Sequence, residues 1–154
     1  MKKLYLLTIF LLCSLPLIAD SSLSAYASYM NTDSAGEGSG YGGRLKSTFL
    51  SVGSIEIHGG NVEMDDSDTT LYPFDISLNL RLPFMISPYA GVGVGYTLVD
   101  STRPSYEDMK TLYAQLGLEI TFVWFGLMAE VRAQDAENND FDGVTGNIGI
   151  MLKW

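Results

Sequence analysis

Ser54, Glu56 and His58 occupy every second position of the stretch "SIEIH". In an extended chain alternate residues share a face, so a hydroxyl, a carboxylate and an imidazole would line up on one side. These are the residue types of nucleophilic catalysis, in which an imidazole takes a proton from a hydroxyl and a carboxylate orients the ring. His58 is the single histidine of the chain, so imidazole chemistry has no other starting point. Its plainer reading is a polar residue near one rim of the sheet that carries it. A second set is acidic. Glu63, Asp65, Asp66 and Asp68 crowd into "EMDDSD", and carboxylate oxygens suit Ca²⁺ and Mg²⁺. The stretch lacks the Gly and the bidentate Glu spacing of an EF-hand. It is a candidate cation-binding loop, and otherwise a solvated one. A third set, Asp75, Arg81, Glu119, Glu130 and Arg132, alternates with apolar residues along otherwise greasy segments. No resident metal or cofactor is expected.

The elements that must position these residues read as strands. Helical periodicity is hard to find, whereas a two-residue period recurs along the chain. Eight strands are predicted, at about 23–30, 41–49, 53–58, 71–82, 88–99, 109–122, 125–134 and 141–154. In the sixth, Leu112, Ala114, Leu116, Leu118, Ile120 and Phe122 oppose Tyr113, Gln115, Gly117, Glu119 and Thr121. In the fourth, Phe74, Ile76, Leu78, Leu80 and Leu82 oppose Asp75, Ser77, Asn79 and Arg81. The glycines of "GVGVG" would be costly in a helix but leave room on the inner face of a barrel.

Which face is wet decides the class. A soluble barrel turns its greasy face inward. Here the greasy faces run nearly unbroken for about 10 residues, the length of strand that crosses a bilayer. The polar faces carry few, balanced charges: Arg44, Lys46, Arg81, Arg132 and Lys153 against Glu56, Asp75, Glu119 and Glu130. That mixture suits a filled eight-strand interior better than a wet surface. The connections after the second, fourth and sixth strands are short, and those after the first, third, fifth and seventh are long. This is the asymmetry of outer-membrane barrels, with short periplasmic turns and longer extracellular loops. The expected fold is all-β: an eight-stranded antiparallel up-and-down transmembrane β-barrel.

Composition agrees. The chain has 154 residues, 47% hydrophobic and 18% charged, with a net charge of -9. Its mean hydropathy of +0.15 is too apolar for disorder. The acidic balance argues against a nucleic-acid partner, which needs a basic face. Residues 1–19 read as a cleavable bacterial signal peptide: Lys2 and Lys3, an apolar run from Leu4 to Leu15, the breaker Pro16, and Ala19 as the cleavage residue, with Ala27 as an alternative. The barrel domain is then 20–154. Cys13, the one cysteine, falls in the signal, so no disulfide is expected in the mature chain.

The stretch "YPFDISLNLRLPFMISPYAGVGVGY", the hairpin "GLEITFVWFGLMAEVR" and the ending "GNIGIMLKW" resemble the small outer-membrane β-barrel proteins of the OmpX and OmpA-transmembrane-domain type. The resemblance covers nearly all of the mature chain and implies location more than biochemical role. It implies that Ile148, Ile150, Leu152 and Trp154 form the terminal signal read by the barrel-assembly machinery. It also implies outer-membrane lipids and lipopolysaccharide as surroundings. Thirteen acidic residues fall in the long connections: Asp33 and Glu37; Glu63, Asp65, Asp66 and Asp68; Asp100, Glu107 and Asp108; Asp135, Glu137, Asp140 and Asp142. Only Arg103 and Lys110 oppose them there, so the loops would be acidic and could share divalent cations with lipopolysaccharide. The expected role is structural or surface-interacting, without a large open pore and without enzymatic activity. One alternative is a lipid A-modifying barrel enzyme, although Gly60 stands two after His58 where lipid A deacylases place a serine. Another is a secreted soluble barrel that binds a ligand.

Overall fold

The computed structural model describes residues 21–65, 68–102 and 106–154. The expected signal segment, Asp66 and Arg103 lie outside the described residues. Eight strands follow one another: β1 (Ser21–Thr32), β2 (Glu37–Phe49), β3 (Gly53–Met64), β4 (Thr69–Arg81), β5 (Ile86–Ser101), β6 (Met109–Thr121), β7 (Phe125–Ala136) and β8 (Gly143–Lys153). Each pairs antiparallel with the next, and β1 closes on β8 from Ser22 opposite Lys153 to Thr32 opposite Gly143. The result is a closed barrel in sequence order.

The alternation in the sequence becomes two walls. Leu80, Leu116 and Ile148 on the outer wall are 73%, 68% and 68% exposed, while Arg44, Glu56 and His58 on the inner wall are 1% exposed. Charge is buried and leucine is bare, the reverse of a soluble fold. Lipid makes that arrangement favourable, and closure leaves no strand edge unpaired within it. Exposed aromatic residues ring both ends. Phe49, Phe84, Phe122, Trp124, Phe125 and Trp154 lie at the short-turn end, and Tyr29, Tyr41, Tyr72 and Tyr96 toward the other. Such girdles mark the two membrane interfaces.

Three expectations change. First, the long connections after the first and third strands are mostly strand. β1 runs to Thr32 and β2 starts at Glu37, so residues 31–42 shrink to a turn at 33–36. β3 runs past His58 to Met64 because Gly59 and Gly60 pair with Gly43 and Gly42, and Asn61 with Tyr41. A backbone group that finds a ladder partner needs no β-propensity of its own side chain. The remaining connections, 65–68, 102–108 and 137–142, compare with 50–52, 82–85 and 122–124 at the other end. Second, the last strand starts at Gly143, not Phe141. Asn138 caps a short 3-10 helix, Asn139–Phe141, by accepting from Asp140 N at 3.2 Å. Third, the lumen is not polar throughout. Met30, Ala35, Val62, Met64, Leu71, Met109, Ala136 and Phe141 pack into an apolar plug at the loop end, with Val99 and Tyr106 against it.

Local chemistry explains the details. The β2–β3 turn puts Leu50 and Ser51 at φ 52° and 61°, the left-handed pair that matches the twist of a tight hairpin. Gly93 and Gly117 face inward under Tyr113 and Tyr89, where a Cβ would run into the rings. The β3–β4 ladder lapses between Gly59–Phe74 and Val62–Leu71. Pro73, in that gap, has no N–H to donate.

Candidate functional site: a charged column beneath an apolar plug

Successive inward positions build a column along the barrel axis. At the short-turn mouth Arg81 donates to the hydroxyls of Thr48 and Ser87, each at 3.3 Å. Above it Lys46 pairs with Glu119, whose other oxygen accepts from Arg44 Nη2 at 2.7 Å. Arg44 Nη1 reaches Tyr89 Oη at 3.2 Å and lies 3.5 Å from Glu56. Tyr89 donates to Glu130 at 2.6 Å. Arg132 then joins three groups: Nε to Glu130 at 2.6 Å, Nη1 to Asp75 at 2.9 Å, and Nη2 to His58 Nδ1 at 2.6 Å. The Arg132 guanidinium also stacks 4.7 Å from the centre of the Tyr113 ring. Above the column, Gln134 donates to the carbonyl of the plug residue Phe141 at 2.9 Å.

Of the residues read as a lumen network, Asp75, Glu119, Glu130 and Arg132 lie in this column, and Arg81 stands at its foot. Arg44, Lys46 and Glu56 complete it, although sequence reasoning placed them only on the polar face. Their signal was the same alternation, in "RLKST" and "SIEIH". The pairing itself was hidden, since Arg44 and Glu119 are 75 residues apart. Removing one partner of such a buried pair strands the other charge, which costs far more than the pair contributes net.

The Ser54–Glu56–His58 set shares one wall, all three buried. The hydroxyl and the imidazole do not meet. Four residues of strand separate Ser54 from His58 by roughly 13 Å. His58 is also not near the rim: it lies midway along β3, beneath the plug residues Val62 and Met64. Its ring nitrogen sits 3.3 Å from Glu56 and its other nitrogen meets Arg132. Among the described residues, Glu56, His58 and Glu130 have ligand atoms within 4.8 Å of one another, close enough for a metal ion. The Arg132 guanidinium, bonded to both His58 and Glu130, already brings the positive charge to that spot.

The acidic loop residues Glu63, Asp65 and Asp68 are exposed, and Asp65 N donates to Glu37 O at 2.8 Å. Elsewhere on the loop end, Lys110 holds Glu137 through its backbone N–H at 3.1 Å and its ammonium at 3.2 Å. The backbone hydrogen bond, then the ammonium, hold that carboxyl below the usual range. Across the seam, Ile148, Ile150, Leu152 and Trp154 all face outward and exposed. Ser21 and Trp154 exchange backbone hydrogen bonds at 3.2 and 3.1 Å, which extends the β1–β8 seam.

The barrel superposes on the outer membrane protein OprG from Pseudomonas aeruginosa with a TM-score of 0.72, over 88% of this chain and 96% of that one. The fold is that of the small outer-membrane β-barrels. OprG is 16% identical to this chain. Neisserial surface protein A is similar at a TM-score of 0.64, 14% identical, over 88% of this chain and 97% of that one. Ail of Yersinia pestis, solved with the heparin analogue sucrose octasulfate, is similar at 0.60, 18% identical, over 88% and 99%. No protein-family model and no curated protein matches the sequence. Within the outer-membrane barrel fold, therefore, side chains rather than sequence kinship carry what is particular to this chain.

Proposed function

We propose that the protein is an integral outer-membrane barrel with a structural and surface-interaction role, its loop end outside the cell and its short turns in the periplasm. The observation that carries this reading is the filled lumen: an ion-paired column below, an apolar plug above. A barrel filled in this way works through its outer surfaces, not as a large pore. Its loop end is acidic, with exposed Asp33, Glu37, Glu63, Asp65, Asp68 and Glu137 among others. Such a rim attracts cationic partners and divalent cations shared with lipopolysaccharide, and would repel a polyanion of the kind bound to Ail. The outward residues of β8 and beyond, Ile148, Ile150, Leu152 and Trp154, are the segment offered to the assembly machinery. No catalytic role is assigned to His58, because Arg132 and Glu56 engage its nitrogens.

Fractionation tests the reading. The protein should extract from outer membranes and migrate differently on gels before and after heating. A cysteine replacing the exposed Asn139 should react with an impermeant maleimide on intact cells. Recovery as soluble periplasmic protein would overturn the proposal. The enzymatic alternative makes a separate claim: expression would change the mass of lipid A, and His58→Ala would abolish the change.

A further inference from the structure

The outer wall carries a hollow of about 720 Å³ near the loop end, spanning β4 to β7. One row of the sheet runs through it: Ile76 lies opposite Val94, Val94 opposite Leu112, and Leu112 opposite Asp135. Phe74 and Tyr96 stand exposed along its edge toward the loops. A second hollow of about 350 Å³ adjoins it on the short-turn side and shares Leu112 and Asp135 with it. There Ala114 and Ala133 lie opposite each other on β6 and β7, so two short side chains leave the wall low. The two hollows form one track, largely apolar, that runs from the level of Tyr96 down the lipid-facing wall.

Asp135 stands where the hollows join. It shares the outward face of β7 with Val131 and Ala133, and it is exposed. Among the described residues its carboxylate has no hydrogen bond and no ion pair. The one cation that lines the hollow, Lys110, is bound to Glu137 at 3.2 Å. Asp75, behind the same stretch of wall, is paired with Arg132 in the lumen. Asp135 is therefore the carboxylate left over. A charge that borders hydrocarbon is costly unless a partner reaches it. Because Asp135 faces outward, that partner has to come from the surroundings of the barrel.

We propose that this track binds a lipid-like amphiphile with a primary ammonium head, the ammonium against Asp135 and the acyl chain along Ala114 and Ala133. Charge complementarity selects the head, since an ammonium brings three N–H donors and a positive charge to an open carboxylate. The apolar floor selects the tail, since a chain laid over the two alanines also meets Val92 and Leu112. Asp135 lies close to the girdle residue Tyr96, so the head stays at the membrane interface, in reach of water. A divalent cation offers charge without a chain, and a neutral lipid a chain without charge; the track is lined for both together. Which face of the membrane supplies the amphiphile rests on the orientation proposed above, but binding in micelles does not.

The test uses ¹⁵N-labelled protein in maltoside micelles, whose heads carry no charge, and dodecylammonium chloride as the probe. At constant ionic strength, the amides of Leu112, Ala133 and Asp135 should shift saturably, and those of Leu45 and Ile57, on a distant stretch of the wall, should not. Asp135→Asn should weaken binding about tenfold, the loss of one charge-assisted contact. Ala133→Leu, which fills the lower hollow, should weaken it several-fold, and Glu63→Gln, which removes a different exposed acid of the loop end, should leave it unchanged. All three positions face outward, and heat-modifiable migration checks that each variant is folded. Dodecanoate, with the same chain length and an anionic head, should give no saturable shift. Shifts spread evenly over the wall, equal saturation by dodecanoate, or full affinity in Asp135→Asn would overturn the proposal. So would magnesium chloride alone reproducing the shifts at Leu112 and Ala133, which would make the track an ion site. Any of these results with heat-modifiable migration intact overturns the amphiphile site and leaves the membrane barrel standing.

Discussion

The lower and upper parts of the lumen are lined by the same kind of position, every second residue of a strand, and are filled in opposite ways. Below, Arg44, Glu119, Glu130 and Arg132 fill space with paired charge. Above, Met30, Met64, Leu71, Met109 and Phe141 fill it with apolar volume. The lower part gets its order from directional bonds, each of which specifies a partner on another strand. The upper part is non-directional, and methionine adapts to the irregular space under a loop. "Inward" in a membrane barrel therefore does not mean "polar". Inward residues need only satisfy one another.

The largest effects are expected in the lower lumen. Glu130→Ala leaves Arg132 without its closest carboxylate and should cost about 4 kcal/mol in urea unfolding. Replacing both, as Glu130→Leu with Arg132→Met, should recover most of that loss. A double variant as unstable as the single one would show that the column contributes more than charge balance. From above, Phe141→Ala should cost about 3 kcal/mol and should raise ion conductance in planar bilayers, because it opens the plug without touching the column. Equal conductance in Phe141→Ala and the parent would deny the plug its sealing role. On the outer wall, Leu116→Arg should cost about 2 kcal/mol in lipid, since a cation there faces hydrocarbon. No destabilisation would mean that this face is wet.

The smallest effect lies at the loop rim. Lys110 holds the folded Glu137 carboxyl below its ordinary value. A depressed carboxyl contributes stability that is present above the unfolded pKa and lost as pH falls through the folded one. Glu137→Gln should therefore narrow the stability difference between neutral pH and pH below about 4. The change should be slight, because Lys110 and Glu137 are 72% and 58% exposed. An unchanged acid profile would remove this contact from the account.

Strand number, order and the greasy outer wall were legible because each rests on the two-residue period, which one sequence displays directly. The loops were misread for a physical reason. Gly38, Gly40 and Asn61 look like turn residues, yet the ladder extends through them because their backbones find partners in β2 and β3. Ending β3 at His58 then put that residue at a rim, when six further strand residues rise above it. The plug escaped because Val62, Met64 and Leu71 fell at or beyond the ends of the expected strands, where inward and outward could not be told apart. The inward charges were visible as a set but not as pairs. Which acid meets Arg44 depends on barrel register across the lumen, a relation that no local spacing records.

The claim on which everything rests is that the bare apolar wall lies in lipid. The chain has two tryptophans, Trp124 and Trp154, and both stand exposed in the girdle at the short-turn end. Reconstitution into vesicles of lipids brominated at defined depths tests this directly. Fluorescence should be quenched, most strongly by bromines near the headgroups and less by those at the bilayer centre. Fluorescence indifferent to bromine at every depth would contradict the membrane barrel.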